Sequence, residues 1–315
     1  MAKYLFGVDV GGTTVKLGLF TPEGELVDKW EIVTRKEDCG DHIIGDIAES
    51  IREEAAKKDI AFADVVGVGI GVPGPVTDDG TVLMAANLGW GERHITSELS
   101  EILGVPVKAG NDANVAALGE MWRGGGKGYD DMVAVTLGTG VGGGIIINGK
   151  IVCGATGAGG EIGHIHLEDD EPDECGCKGH GCLEQYASAT GVVRIAGRKL
   201  AESDKPSVLR DKDFSAKDVW DAVKAGDALA VEVAEVYGEY LGKGLAAVAN
   251  VVNPEIFVIG GGVSRAGQIL IDYMKPYYDR YVFPGARGAK FALATLGNDA
   301  GIYGSAKLVY DTWKD

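Results

Sequence analysis

The stretch Met132-Val133-Ala134-Val135-Thr136-Leu137-Gly138-Thr139-Gly140-Val141-Gly142-Gly143-Gly144-Ile145-Ile146-Ile147 decides how this chain is read. Apolar, β-branched runs flank a glycine-bounded turn, so the pattern is strand, tight turn, strand. Gly138, Gly140 and Gly143 also satisfy the Gly-x-Gly-x-x-Gly spacing of a dinucleotide site, with Glu161 near the expected acidic position. That site requires a helix after the turn. Here Ile145-Ile146-Ile147 and Asn148-Gly149 follow, a second strand closed by a hairpin signal. The dinucleotide reading fails, and a GxxxxGK[ST] phosphate loop occurs nowhere.

The same pattern opens the chain. Residues 4–10 read as a strand, Gly11-Gly12-Thr13-Thr14 as the turn and residues 15–20 as the return strand. Sliding residues 5–20 onto 132–147, a shift of 132 − 5 = 127 positions, lays Gly11 on Gly138 and Asp9 on Thr136. An internal repeat outranks any single motif as evidence of fold. A third strand, 256–259, runs into Gly260-Gly261-Gly262. Turns of this kind aim several backbone N–H groups at one point, which suits phosphate. Asp9 adds a carboxylate able to hold Mg²⁺ through water.

Between these turns the chain alternates. Helical spacing covers 41–58, a buried strand 65–72 ends at Pro73-Gly74-Pro75, and a helix near 95–104 precedes a strand at 105–109. A helix over 113–122 leads to Arg123-Gly124-Gly125-Gly126-Lys127-Gly128, read as a hinge. Residues 154–182 are loop-rich and acidic. Helices follow at 215–224 and 227–252, where Leu229, Val233, Val236, Tyr240 and Leu241 mark a core face, and at 299–313. The expected organisation is a smaller α/β domain, 1–122, and a larger one, 123–299, with the last helix, 299–315, packing back on the first.

Charge excludes some partners. Lys plus Arg total 30 against 47 Asp plus Glu, a net −17 at pH 7. Such a field repels nucleic acid and anionic membrane, so neither is an expected partner. A phosphate ligand then needs local N–H cradles and a divalent cation. Glycine makes up 50 of 315 residues, roughly double the usual ~7%. With no Gly-X-Y repeat, that excess reads as turn chemistry and close backbone approach. No apolar run reaches the ~20 residues of a membrane helix, and the N-terminus meets Asp9 too early for a signal-peptide core. A cytoplasmic location is expected. Five cysteines, three of them within eight residues (Cys175, Cys177, Cys182), point to metal rather than disulfides. Cys39 and Cys153 read as ordinary small residues.

Asp9-Val10-Gly11-Gly12-Thr13, Leu137-Gly138-Thr139-Gly140 and Val258-Ile259-Gly260-Gly261-Gly262 resemble the phosphate-1, phosphate-2 and adenosine motifs of the actin/hexokinase/Hsp70 superfamily. Within it, Gly160-Glu161-Ile162-Gly163-His164 and Cys175-Gly176-Cys177-Lys178-Gly179-His180-Gly181-Cys182-Leu183-Glu184 resemble the ROK family of repressors and sugar kinases, over essentially the whole chain. The resemblance implies a two-domain actin-like ATPase (ribonuclease H-like) fold with a repeated βββαβαβα core. It implies Mg-ATP bound through Asp9, Gly11, Gly12, Thr13, Thr14, Gly138, Thr139, Gly140, Gly260, Gly261 and Gly262. It also implies a hexose acceptor, glucose above others, and a homo-oligomer, dimer or tetramer.

Asn111-Asp112 follow a strand, where sites collect. Phosphoryl transfer to a sugar hydroxyl needs a carboxylate that accepts the hydroxyl proton. Alone, Asp112 reads better as the N-cap of the next helix; resemblance to the Asn-Asp pair of ROK kinases makes it the general base. Glu161, His164 and Glu184 match the family's sugar-hydroxyl clamp, with Asn87 and Asn111 as further sugar contacts. A solvated surface charge describes Glu168, Asp169, Asp170, Glu171 and Asp173 well, and Glu161 poorly, since glycines and Ile162 surround it. Cys175, Cys177 and Cys182 supply three thiolates, and tetrahedral zinc needs a fourth ligand. The resemblance points to His164, while His166 stays open, and the zinc is expected to be structural.

Two other classes fit the sequence less well. A ROK repressor carries a DNA-binding segment before the phosphate-1 turn, which here comes at residues 9–13. A filament or chaperone ATPase shares the hairpins but has no use for the Glu161/His164/Glu184 set or the cysteine loop.

Overall fold

The protein is described here from a computed structural model, covering residues 3–77 and 79–314. The chain runs β1 (Tyr4–Val10), β2 (Thr14–Phe20), β3 (Leu26–Val33), the short α1 (Glu37–Gly40), α2 (Ile43–Lys57), β4 (Val65–Val72), α3 (Ile95–Leu103), β5 (Val107–Asn111) and α4 (Asp112–Arg123). It continues β6 (Met132–Leu137), β7 (Val141–Ile147), β8 (Lys150–Ile151), α5 (Glu184–Ala187), α6 (Ala189–Glu202), α7 (Ala216–Lys224) and α8 (Ala228–Val252). Then come β9 (Ile256–Gly260), α9 (Gln268–Tyr281), β10 (Lys290–Leu293) and α10 (Ala300–Lys314).

One sheet has the order β3-β2-β1-β4-β5, the other β10-β9-β6-β7-β8. Reversed, the second reads β8-β7-β6-β9-β10, so every strand of the first sheet has its counterpart five strands later. In the first sheet β2 is antiparallel to β1, while β4 and β5 run parallel to their neighbours. In the second, β9 runs parallel to both β6 and β10. The repeat read from the two glycine turns is therefore a repeat of topology, the doubled α/β core of an actin-like fold. No described helix is long and apolar enough to cross a membrane.

The chain divides into two compact units: Met1–Gly128 with Gly144–Gly160 and Leu296–Asp315, and Tyr129–Gly143 with Glu161–Thr295. The sequence reading kept 144–160 with the second half. Gly144 gives the reason for the difference, since a Cβ there would stand 2.5 Å from that of Ala117 on α4.

In the first unit, α2 and α3 cover one face of the sheet with Ile43, Ile47, Ile51, Leu99 and Leu103 against Phe6, Val8 and Ile70. Backbone packing dominates the other face. β4 is Val-Val-Gly-Val-Gly-Ile-Gly-Val, buried throughout. A Cβ on Gly69 would overlap the Ser305 carbonyl of α10, and one on Gly304 would overlap the Val115 carbonyl of α4. Helix α10 thus lies directly on strand and helix backbone, and Ser305 donates its hydroxyl to the Val8 carbonyl at 2.8 Å.

Helices α5 and α6 and strand β10 are among the elements that the sequence pattern does not announce. Helix α6 begins at Ser188, whose hydroxyl accepts the Gly191 N–H, with Val192, Ile195 and Ala196 as its buried stripe. Strand β10 is four residues long. On α8, Tyr237 rather than Tyr240 is the fully buried ring. Strand β5 also ends two residues later than expected, at Asn111, which sets up the functional turn described below.

Where the chain leaves α4, Glu120 is 4% exposed. Its carboxylate accepts the N–H groups of Gly125 at 2.8 Å and Leu296 at 2.9 Å. Both lie beside points where the chain passes between units. Glu120→Ala leaves these partly buried donors without their acceptor, at about 1–3 kcal/mol each, and should lower the thermal midpoint by roughly 5–10 °C. Glu120→Gln, which keeps one acceptor oxygen, should lose less. Equal midpoints by calorimetry would show that water replaces the carboxylate.

Candidate active site

In the first unit the turn after β1 closes through the Gly11 N–H donating to the Thr14 carbonyl at 3.0 Å. Thr34 braces it, its hydroxyl donating to the Gly11 carbonyl at 2.7 Å and its N–H to the Thr13 carbonyl at 3.0 Å. Asp9, at the end of β1, is packed so closely by α10 that a Cβ on Gly301 would come within 2.6 Å of its carboxylate. Burial pushes its pKa up to about 6; Lys16 pulls it down and the charge of Asp112 pushes it further up. The two carboxylates therefore share an electrostatic neighbourhood. Exposed Asn87 comes near the same turn, its amide nitrogen 4.0 Å from where a Gly12 Cβ would stand.

Asn111 and Asp112 divide two jobs between them. Asn111 is the N-cap of α4, its side-chain oxygen accepting from the N–H groups of Ala113 at 3.0 Å and Asn114 at 3.2 Å. Its amide donates to the Gly74 carbonyl at 3.0 Å, which ties the helix start to the turn after β4. Asp112, expected from sequence alone to be the cap, is instead the first helical residue. It is exposed, with its carboxylate on the Ala113 N–H at 2.8 Å.

In the second unit the Gly138-Thr139-Gly140 turn closes through the Gly138 N–H and the Gly140 carbonyl at 2.9 Å. It rests on the start of α6. The Ala189 N–H donates to the Gly138 carbonyl at 2.8 Å, and the Thr190 hydroxyl to that of Thr139 at 3.0 Å. Gly261, at φ +85°, packs onto the backbone of Leu137, where a Cβ would overlap. The second and third glycine turns are thus neighbours. Beside Gly262 opens a cavity of about 380 Å³, lined also by Ser215, Lys217, Trp220 and Arg265. Trp220 lies in a helical pattern that carries no sequence signal of a ligand role. It is 3% exposed, and its indole N–H has no partner among the described residues.

The ligating atoms of His164, Cys175, Cys177 and Cys182 all lie within 4.8 Å of one another. Cys177 and Cys182 sulfurs are 3.6 Å apart, and Cys175 sulfur is 3.8 Å from His164 Nδ1. A tetrahedral ion with metal–sulfur bonds of about 2.3 Å sets its ligands roughly 3.7 Å apart, so the set can hold such an ion. His166 is engaged elsewhere, with Nδ1 2.8 Å from the His180 carbonyl and Nε2 2.8 Å from Asp169. Burial pushes the Cys182 thiol up to about 12 and raises Cys175, while the Gly179 N–H lowers Cys177. A cation is what would ionise all three.

Of the expected sugar groups, Glu161, His164 and Glu184 gather around this cluster. Glu184 accepts the Val141 N–H at 2.9 Å through one carboxylate oxygen and lies 3.7 Å from Cys175 sulfur through the other. A Cβ on Gly140 would overlap that carboxylate. His164 turns Nδ1 to Cys175, and its Nε2 lies 3.9 Å from Glu161, whose side chain is 66% exposed. One side chain, Glu184, therefore touches both the phosphate-type turn and the metal-type cluster.

Two sheets of one topology, three glycine turns and the cysteine loop define a class of nucleotide-dependent sugar-handling proteins. The ROK family model matches residues 5–312, and the chain belongs to the ROK family. It is 45% identical over 313 residues, covering 98% of this chain and 95% of the relative, to the glucokinase of Halalkalibacterium halodurans. The crystal structure of a ROK hexokinase from Thermus thermophilus superposes with a TM-score of 0.82 at 30% identity, over 99% of both chains. A ROK family glucokinase from Streptomyces griseus, solved with glucose and AMPPNP, is 34% identical with a TM-score of 0.70, over 97% of this chain and 98% of that one.

The raised pKa of Asp9 has a consequence for stability. Its folded value of about 6 exceeds the usual 3.8, so the folded state holds a proton that the unfolded state releases between those values. Stability from this group is full below about pH 4 and is lost as pH rises through 6. Asp9→Asn should therefore stabilise the ligand-free protein at pH 8 by about 1–3 kcal/mol. The gain over wild type should shrink as pH is lowered to 5.5. A pH-independent difference in thermal midpoint would mean that Asp9 is not held at a cost.

Proposed function

We propose that the chain is an ATP-dependent hexose kinase that converts glucose and ATP to glucose 6-phosphate and ADP, that is, a glucokinase. The observation that carries the mechanism is the division of labour at Asn111-Asp112. With capping done by Asn111, the Asp112 carboxylate can accept the proton of the sugar 6-hydroxyl as the oxygen attacks the γ-phosphorus. The full-length kinship with glucokinases supports glucose as the acceptor.

The glycine turns at 11–14 and 138–140 supply N–H groups for phosphate oxygens, and the cavity beside Gly262 offers Trp220 and Arg265 to the nucleoside. A Mg²⁺ ion held through water by Asp9 would neutralise charge on the phosphates. Glu161, His164 and Glu184 accept or donate to sugar hydroxyls, with Asn87 and Asn111 as further contacts. His164 suits this because a histidine whose Nδ1 faces a metal presents Nε2–H outward, in a fixed tautomer. The four-ligand cluster takes zinc as a structural ion, since four protein ligands leave no position for reactive water.

A coupled ADP-release assay across glucose, mannose, fructose and N-acetylhexosamines at fixed Mg-ATP tests the acceptor. Glucose should give the highest kcat/KM, and a tenfold preference for another sugar would transfer the assignment to that sugar. In the same assay Asp112→Asn should lower kcat by about 10²–10⁴ with little change in sugar affinity. Near-normal turnover would remove Asp112 from the chemistry. Cys177→Ser should lower the thermal midpoint and raise KM for the sugar more than for ATP. Metal analysis should find close to one zinc per wild-type chain.

A further inference from the structure

The acidic run 168–173 reads in sequence as solvated charge, and for Glu171 the structure overturns this. Its side chain is fully buried. The carboxylate accepts from both terminal nitrogens of Arg198, at 3.0 and 2.6 Å, from the Tyr186 hydroxyl, and from the Asp173 N–H at 3.1 Å. Its backbone carbonyl lies 3.0 Å from His180 Nδ1. One residue therefore touches α6, α5 and the tip of the cysteine loop.

Those contacts fall within the cysteine loop and just past it. His180 lies between Cys177 and Cys182, and Tyr186 lies two residues past Glu184. Gln185 repeats the link, its amide donating to the Asp173 carbonyl at 2.8 Å and its oxygen accepting the Cys182 N–H at 3.1 Å. Arg194 closes the base by donating to the Gln185 carbonyl. Tyr186 stacks on Tyr240, ring centroids 3.7 Å apart, and the Tyr240 hydroxyl donates to Glu168 at 2.6 Å. Residues 168–173 and 182–186, which flank the loop in sequence, are thus fastened to each other and to α6 through Glu171.

We propose that Glu171 is a positioning residue for the four-ligand cluster: with Arg198 it closes the base of the Cys175–Cys182 loop, so that the thiols and Glu184 are held in place together. This rests on the metal reading given above. A buried carboxylate facing a two-pronged guanidinium enforces one geometry, which a neutral amide cannot do as well. Outer partners of metal ligands typically carry 10–100-fold in affinity.

The test is zinc retention by the full chain in competition with a chromophoric chelator, for wild type, Glu171→Gln and Arg198→Lys. Glu171→Gln should lose affinity for Zn²⁺ by 10–100-fold and raise KM for glucose several-fold, with KM for ATP unchanged. Arg198→Lys keeps the charge but not the fork, should fall between, and covers the case in which Glu171→Gln fails to fold. Wild-type zinc affinity in folded variants, even with a lowered thermal midpoint, overturns the proposal and leaves the metal reading standing. A wild-type chain that holds no zinc overturns both.

Discussion

The structure depends on places where backbone meets backbone, or backbone meets carboxylate, with no room for a Cβ. Helix α10 reaches the first sheet because Gly69 lets the Ser305 carbonyl lie against β4, and it reaches α4 because Gly304 does the same for Val115. The same constraint shapes the functional ends of both units. Gly301 admits the Asp9 carboxylate, Gly140 admits Glu184, and Gly261 lets the third turn sit on the end of β6. A methyl group at Gly69, Gly304 or Gly261 would force two backbones apart, and one at Gly140 or Gly301 would displace the carboxylate beside it. Part of the high glycine content is therefore a packing requirement within each unit.

Close approach has an electrostatic cost as well as a steric one. Asp9 is pressed between a strand end and a helix, and its carboxyl holds its proton to about pH 6. A carboxylate held at such a cost would gain more from a nearby cation than a well-hydrated acid does. Glu171 is the opposite case. Its side chain is closed to solvent, yet Arg198 and Tyr186 hold it well below the usual carboxylate range. The two acids thus differ by their partners: Arg198 and Tyr186 face Glu171, whereas Asp9 has the like charge of Asp112 near it as well as Lys16.

Much of the site was legible because its signals are local. A glycine turn between β-branched runs, three cysteines in eight residues, and Asn-Asp at a strand end each declare themselves within a few residues. Choosing between neighbouring candidates was harder. Sequence left His164 and His166 both open as the fourth ligand, two residues apart. The structure separates them because a 3₁₀ turn at Ile162–His164 faces His164 toward Cys175, whereas His166 is bound by Asp169 and the His180 carbonyl. The cap of α4 likewise moved one residue, from Asp112 to Asn111, once β5 was seen to run on to Asn111.

Sequence by itself determined the doubled topology, because a repeat of strand, turn and strand at a shift of 127 positions needs no knowledge of contacts. It also determined which residue types could handle phosphate, sugar and metal, since turn geometry and ligand chemistry are properties of short segments. Only the tertiary structure decided that Glu171 is a buried, paired carboxylate rather than one more solvated acid, because Arg198 lies 27 residues away on α6. It alone placed Trp220 beside Gly262, 42 residues further on, and Glu184 against the N–H of Val141. Burial and charge pairing are set by segments distant in the chain, and residue order carries no distance between them until the elements pack.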